Sequence, residues 1–554
     1  MGIKTAKRRW TALLGIKNAR FSATARKPYE RTTFATDVEA GGVLKVTTKQ
    51  QLQQIITIAN DESVPIYPIS TGKNFGYGSK VPTHHGAIVV DLSGMNKITR
   101  FDEVHGTLSV EPGVTFEQVH RFLTAQNSEF SIAGTGSTPT SSLIGNALER
   151  GIGKGLASNR IDNICHLEVI LANGKCIHTG LGRFDNAKGK DMTKLGPGPL
   201  LDGLFTQSNL GVVTEMTFWL TPIPKAFTTF VYCLKDDSTL PQVIDALRVL
   251  KQRDILRSST TLFNDHRILG YMGKYPWDLC DGSRSLTDDE IKIALQRSLP
   301  VVGKWYGDGA LFCHSRAQAK ADIKLIKDAL GGLVSNLIFF REPYVSIASK
   351  ILRFINKFSR KPFVDPTEIY FRKSMYLGHP LPITQTLGST YIRKRINVPA
   401  ASQIDPDKDK CGTYWMGPIV PFEGKDIESA TQIIKEVITG YGYEPAMTLQ
   451  CISARQIDII ISISFDRELD GEDANAKACH DTLLQKLYQA GYYPYRLGNQ
   501  SQTRLPAPDD DYLQFVTTIK KALDTNNILA PGRYDFTAQA APPIDVHKSN
   551  KAVP

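Results

Sequence analysis

At 554 residues the chain is longer than one ordinary hydrophobic core supports, so two or more domains are expected. Its 41% hydrophobic and 22% charged residues make an ordinary soluble globular composition, and no apolar run reaches the roughly 18 residues a membrane span needs. A net charge of +11 raises nucleic-acid binding as an alternative, but the basic residues are dispersed, with neither interleaved aromatics nor a recognition motif; no nucleic acid is expected as a partner.

Residues 1–35 read as a loosely held basic arm. Met1 to Trp10 is basic with no continuous apolar segment behind it, which argues against a signal peptide, and Ala6 stands where a myristoylation signal wants Ser or Thr. From Leu44 the pattern becomes strand, helix and strand: Leu44 to Val46, a helix after Thr47 and Thr48, and an apolar run from Val64 to Ile69. The next ten residues, Ser70 to Ser79, crowd Gly72, Gly76 and Gly78 into one turn. Glycine permits positive φ and close approach to a ligand, and successive inward N–H groups form an anion-binding nest. The turn is no P-loop, because Asn74 follows Gly72-Lys73 where a Mg²⁺-binding Ser or Thr would stand. Nor is it a dinucleotide fingerprint, because Gly86 to Leu92 reads as a strand rather than a helix.

Thr115 to about Gln126 is predicted helical from the spacing of Phe116, Val119, Phe122 and Leu123. Leu167 to Leu171 and Cys176 to His178 flank Asn173-Gly174, a hairpin signal. Prolines at 222 and 224 close this first α+β block. Residues 225–490 mix strands with longer helices, including a helix from Ser429 to Tyr441 and a strand from Ile457 to Phe465. A last helix runs from Asp511 to Asp524, and residues 536–554 read as a disordered tail. Within the middle region, Ser346 to Lys361 reads as a basic amphipathic helix. Its apolar residues are Ile347, Ile351, Leu352, Phe354, Ile355 and Phe358; Lys350, Arg353, Lys357, Arg360 and Lys361 carry charge with no acid among them. That suits docking on an anionic membrane or an acidic redox partner; a packed helix with a solvated basic face is the alternative. Eight scattered cysteines without a Cys-x-x-Cys pair read as free thiols in a reducing, cytoplasmic compartment. The eleven histidines lack ligand spacing, so no metal is predicted, and His84-His85 read as surface residues.

The stretch from Pro68 to Gly78, followed by Val90 to Lys97, closely resembles the FAD-binding segment of the vanillyl-alcohol oxidase and p-cresol methylhydroxylase flavoproteins. Four further stretches match in order: Val110 to Thr115, Gly145 to Gly151, Leu201 to Val213 and Asn526 to Arg533. The resemblance implies an α+β fold with a two-part PCMH-type FAD-binding domain, residues 36–224 plus a returning segment 491–535. An α+β cap domain, residues 225–490, would cover the flavin ring. It implies FAD as cofactor and, by matched position, FAD contacts from Ser70, Thr71, Gly72, Lys73, Asn74, Gly76, Tyr77, Ser142, Gly145, Asn146, Arg150, Val212 and Val213. The glycines and the helix N-terminus after Ser142 agree with phosphate binding. Arg533 is a further candidate, with a solvated arginine after a turn as the alternative. Family members are commonly dimers or larger, so a homo-oligomer is implied.

Phenol-oxidising members hold the substrate hydroxyl with two tyrosines and an arginine, and Tyr77, Tyr495 and Arg496 fall on those positions. A phenol ionises near pKa 10, and a buried arginine with phenolic donors favours the phenolate, which eases hydride loss from the para benzylic carbon. Departures stand beside the match. Ser137 occupies the place of a catalytic aspartate, and a hydroxyl is a poor general base. Thr413 stands where some members tether FAD through histidine, with Tyr414 and Cys411 as neighbours, and Gln403 to Asp407 holds no tyrosine; FAD is therefore expected to be non-covalent. Asp458 is a candidate relocated base, against the alternative of an exposed strand-end aspartate. The resemblance thus implies an FAD-dependent oxidoreductase acting on a phenolic or related aromatic compound. The alternatives are a non-phenolic alcohol, amine or specialised-metabolite substrate, and a degenerate binding protein.

Overall fold

The computed structural model describes residues 2–272, 275–299, 301–341, 344–356, 374–381, 383–506 and 510–535. The expected tail at 536–554, and residues 357–361 of the expected basic helix, lie outside the described residues. Among the described residues no helix is long and apolar enough to cross a membrane.

The chain is α+β, built around two sheets in one half and one large sheet in the other. Strands Ala19–Arg20, Gly42–Lys45, Ile88–Asp91 and Ile66–Ile69 form the first sheet in that spatial order, the last three parallel. Parallel neighbours need a crossover, supplied by the helix Lys49–Glu62; Thr48 caps it by accepting the Gln51 N–H, and Leu52, Ile55, Ile56 and Ala59 are buried along one face. The second sheet is antiparallel, ordered Cys176–His178, Ile164–Ile170, Val212–Trp219, Thr107–Val110 and Ile98–Asp102, with the expected turn at Asn173-Gly174.

The first 35 residues are not loosely held. A helix spans Ile3–Leu14 with Ala6, Trp10 and Leu14 buried, Trp10 donates to the Ile55 carbonyl at 3.3 Å, and Arg9 pairs with Asp61 and Glu62. The dense Lys and Arg of this stretch masked an apolar stripe repeating every fourth residue, which is a helical face.

The large sheet is ordered Ser335–Arg341, Ala226–Leu234, Trp305–Cys313, Thr260–Asn264, Ala446–Cys451, Gln456–Asp466 and Cys411–Met416, and Ile419–Pro421 also pairs with Gln456–Asp466. Along Gln456–Asp466 the side chains alternate. Ile457, Ile459, Ile461, Ile463 and Phe465 enter a core shared with Ile427, Ile434, Leu483 and Leu487 of the helices Gly424–Gly440 and Glu472–Gln489. Asp458, Ile460, Ser462 and Ser464 face the opposite way. The first of these helices starts five residues before the expected Ser429, its Gly424 N–H held by the Asp245 carboxylate at 3.1 Å; a glycine opening disguises a helix start. The helix Tyr344–Asn356 buries Val345 and Ser349 and leaves Ile347 and Ile351 exposed. All eight cysteines are free.

The C-terminal segment returns to the first half. After the helix Asp510–Leu523, the Ile66 N–H donates to the Ile528 carbonyl and the Ala530 N–H to the Ile66 carbonyl, each at 2.8 Å. Asp524 locks the return: it is buried, pairs with Lys520 at 2.6 Å and accepts the Ile528 and Leu529 N–H groups.

Candidate active site

The Gly-rich turn leaves the Ile66–Ile69 strand and passes under the large sheet. Gly72, Gly76 and Gly78 all have positive φ (65°, 74° and 117°), which only glycine adopts cheaply. Gly76 also lies against the Trp415 ring, where a Cβ would collide. Among the described residues, no protein group accepts a hydrogen bond from the N–H of Thr71, Gly72, Lys73, Asn74 or Phe75. Five successive unpaired donors beside Lys73 fit the phosphates of a dinucleotide such as FAD. Ser142 caps the helix Leu143–Leu148 alongside, its Oγ accepting the Gly145 N–H at 2.9 Å and its own N–H donating to Thr71 Oγ1 at 3.1 Å. Gly145 packs against Ser70 Oγ. Other matched residues are engaged by protein: Asn146 accepts from Arg160 Nε, exposed Arg150 reaches Thr206 Oγ1 at 3.3 Å, and Val212 and Val213 are buried in two separate cores.

Tyr77, Tyr495 and Arg496 converge. The segment carrying the last two spans from the edge of the large sheet to the turn: the Tyr495 N–H donates to the Gly417 carbonyl and the Asn499 N–H to the Tyr77 carbonyl, each at 2.9 Å. Gly417 is required here because the Tyr495 ring fills the place of a side chain. The Arg496 guanidinium lies 3.9 Å from the Tyr77 ring centre and donates to Asn74 Oδ1 at 2.7 Å. Behind it Glu149, absent from the sequence-based candidates, pairs with Arg533 at 2.6 Å and Arg496 at 3.5 Å and accepts from Tyr534 Oη at 3.0 Å. Arg533 is therefore a buried ion-pair partner, not a solvated arginine. Two arginines against one glutamate leave one positive charge in excess. Burial alone would raise the Glu149 carboxyl, but Arg533 and Arg496 outweigh it and hold it below its ordinary range. Burial raises both tyrosines above their ordinary range, Tyr77 well above it, and outweighs the opposing pull of Arg496, so they serve as neutral donors.

Asp458 is not exposed at a strand end. It is 2% exposed, accepts only from Gln456 Nε2 at 3.0 Å among the described residues, and burial pushes its carboxyl up to about 7; its charge also opposes ionisation of Tyr495. A second carboxyl, Asp407, accepts from Ser79 Oγ at 2.8 Å and is likewise raised by burial to about 7. At the tether positions, Thr413 is fully buried with its hydroxyl on the Gly412 carbonyl. Cys411 is enclosed by Phe75, Leu387, Tyr391 and Ile404, and burial pushes its thiol up. Tyr414 stacks on Phe34 in the core across the sheet. Ser137 accepts from Ser141 Oγ at 3.1 Å. Glu149 sits inside the Gly145-to-Gly151 match, so the signal was present; its role depends on Arg533, far along the chain.

A model of the FAD binding domain matches residues 40–180. The chain is 38% identical over 533 residues to 1'-carboxy-chondrochloren decarboxylase of Chondromyces crocatus, covering 96% of this chain and 97% of that one. It is 28% identical over 536 residues to the flavoprotein subunit of 4-cresol dehydrogenase (hydroxylating) from Pseudomonas putida, covering 95% and 94%. Among solved structures, p-cresol methylhydroxylase with substrate bound superposes with a TM-score of 0.84 at 27% identity over 96% of each chain. The 4-ethylphenol oxidase of Gulosibacter chungangensis, in complex with isoeugenol, gives a TM-score of 0.84 at 21% identity over 96% of this chain and 97% of that one, a likeness of fold.

Proposed function

The chain belongs to the p-cresol methylhydroxylase-type FAD-dependent oxidoreductases, and from that premise we propose that it oxidises a 4-alkylphenol at the benzylic carbon. The observation that carries this reading is the convergence of Tyr77, Tyr495 and Arg496 on one point with an unbalanced positive charge. Arg496 and the two phenolic donors hold the substrate oxygen as phenolate, an anion that would balance the pair of arginines against Glu149. Bound FAD supplies the hydride acceptor. The phenolate pushes electron density to its para position, so hydride leaves the benzylic carbon and a quinone methide remains. Asp458, with its raised pKa, takes up the proton that the phenol end releases.

A second reading is favoured by the 38% identical decarboxylase. Where the carbon next to the benzylic one bears a carboxylate, the quinone methide discharges by losing CO₂: the C–C bonding pair enters the ring, regenerating phenolate and leaving an alkene. That step needs no base, in keeping with Ser137 at the place of a catalytic aspartate.

Anaerobic mixing with 4-ethylphenol and with 3-(4-hydroxyphenyl)propanoate tests both. Bleaching of the flavin by either supports phenol oxidation, and CO₂ from the second selects decarboxylation; no bleaching by any 4-alkylphenol rejects the first reading. Arg496→Lys is expected to slow bleaching by about 10²-fold, because a point charge does not reproduce a planar fork.

A further inference from the structure

The face of the large sheet that carries Asp458 also carries a buried cation that pairs with no acid among the described residues. Arg267, in the helix Asp265–Tyr271, is 1% exposed. Three of its five N–H donors are used by neutral acceptors: Nη1 donates to Ser462 Oγ at 2.9 Å, and Nη2 to the Ala446 and Ile460 carbonyls at 3.2 and 3.0 Å. Its Nε–H is buried and meets no acceptor among the described residues. The carboxylate that lines the same pocket, Glu444, is already engaged. Glu444 takes His266 Nδ1 at 2.6 Å and Arg393 at 3.2 Å, so the pocket lined by Arg267, Arg393, His266, Glu444, Ser462 and Ser464 holds more positive than negative charge. Its free space, about 20 Å³, admits an atom group of about a water's size, such as one carboxylate oxygen. Leaving a guanidinium desolvated without a counter-charge is costly; pinning two strands could be done by a neutral glutamine.

The position relates this cation to the phenol clamp. Ile460 and Ser462 lie two and four residues beyond Asp458 on one strand, roughly 7 to 13 Å at about 3.3 Å per residue. The Arg267 guanidinium also lies 4.9 Å from the Trp415 ring centre, and that ring rests on Gly76, beside Tyr77. We infer that Arg267 recognises a carboxylate on the substrate, at the end remote from the phenol, so that the enzyme takes acidic phenols in preference to neutral ones. The inference rests on the phenolic reading above for the placement of the other end.

The test uses the flavin-loaded protein and three rigid ligands that have no benzylic hydride to lose: 4-hydroxycinnamate, its primary amide, and cinnamate. Binding is followed by calorimetry. The wild type is expected to bind 4-hydroxycinnamate at least tenfold tighter than the amide, and Arg267→Gln to bring that ratio to about one while leaving the amide's Kd unchanged. Arg267→Lys, which keeps the charge, is expected to retain part of the preference. A ratio near one in the wild type, readable whether or not the glutamine variant folds, or a tenfold ratio persisting in Arg267→Gln, overturns the inference. The two readings separate through the other ligands. If cinnamate binds as tightly as 4-hydroxycinnamate and depends on Arg267, the carboxylate site stands and the phenol reading falls. If both phenols bind equally and cinnamate does not bind, the phenol reading stands and Arg267 is only a strut.

Discussion

Asp458 illustrates what one side chain's surroundings do to its chemistry. An aspartate in an otherwise apolar strand reads as a solvated end, and nothing local in the sequence separates that from a buried carboxyl. The difference arises because Tyr495, brought in from the C-terminal segment, packs beside Ile460 on this face of the sheet. The consequence for stability is directional. With a folded pKa of about 7 against roughly 3.9 unfolded, the folded chain keeps a proton that the unfolded chain has released between about pH 4 and pH 7. Stability from this group is therefore greatest below about pH 4 and falls as pH rises to 7, by on the order of 4 kcal/mol at most. Asp458→Asn should flatten that part of the slope, so urea midpoints at pH 5 and pH 8 should lie closer together than in wild type. The same variant should lose the rise of turnover through pH 7 that a base of this pKa gives, and 10²-fold or more in rate. An unchanged pH profile would remove Asp458 from the chemistry. Tyr77, Tyr495 and Arg496 were legible as positions in a matched motif; Glu149 and Arg267 were not, because their meaning lies in which charges they do or do not meet.

Among the elements, those with a clean period were legible. The crossover helix Lys49–Glu62, the hairpin about Asn173-Gly174 and the strand Gln456–Asp466 all follow from apolar spacing and one turn signal. The N-terminal helix was hidden by its charge. Ala6, Trp10 and Leu14 nevertheless pack on the crossover helix that feeds the Gly-rich turn. Trp10→Ala should cost about 3–5 kcal/mol, read as a lower urea midpoint with unchanged slope. A midpoint shift under 1 kcal/mol would return this segment to the status of a loose arm.

At the scale of the whole molecule, two halves are tied across the site by buried polar contacts. Lys154 meets Asp308 at 2.9 Å, and Gln450 Nε2 donates to the Gly153 carbonyl at 2.9 Å. These pairs join residues some 150 and 300 apart in sequence, which no local pattern encodes. The same arrangement bears on how the cofactor is held. Thr413 offers no tether chemistry, Cys411 is sealed among Phe75, Leu387, Tyr391 and Ile404, and Tyr414 belongs to the core across the sheet. FAD is accordingly proposed to be non-covalent: acid precipitation should leave the yellow colour in the supernatant, whereas colour on the pellet would reveal a tether.

The Glu149–Arg533 pair sets an order of events in the making of the protein. The partners are 384 residues apart, so at about 5–20 residues per second the ribosome emits Glu149 roughly 20 to 80 s before its arginine. Until residues 496–533 follow, near the end of that interval, the Gly-rich turn has its glycines and its N–H groups but neither arginine, and the first sheet lacks the contact made by Ile528 and Ala530. The cofactor is therefore expected to be captured by a finished chain, not a growing one: a chain cut short before Asp524 should purify without absorbance at about 450 nm, and a yellow truncation would overturn this order.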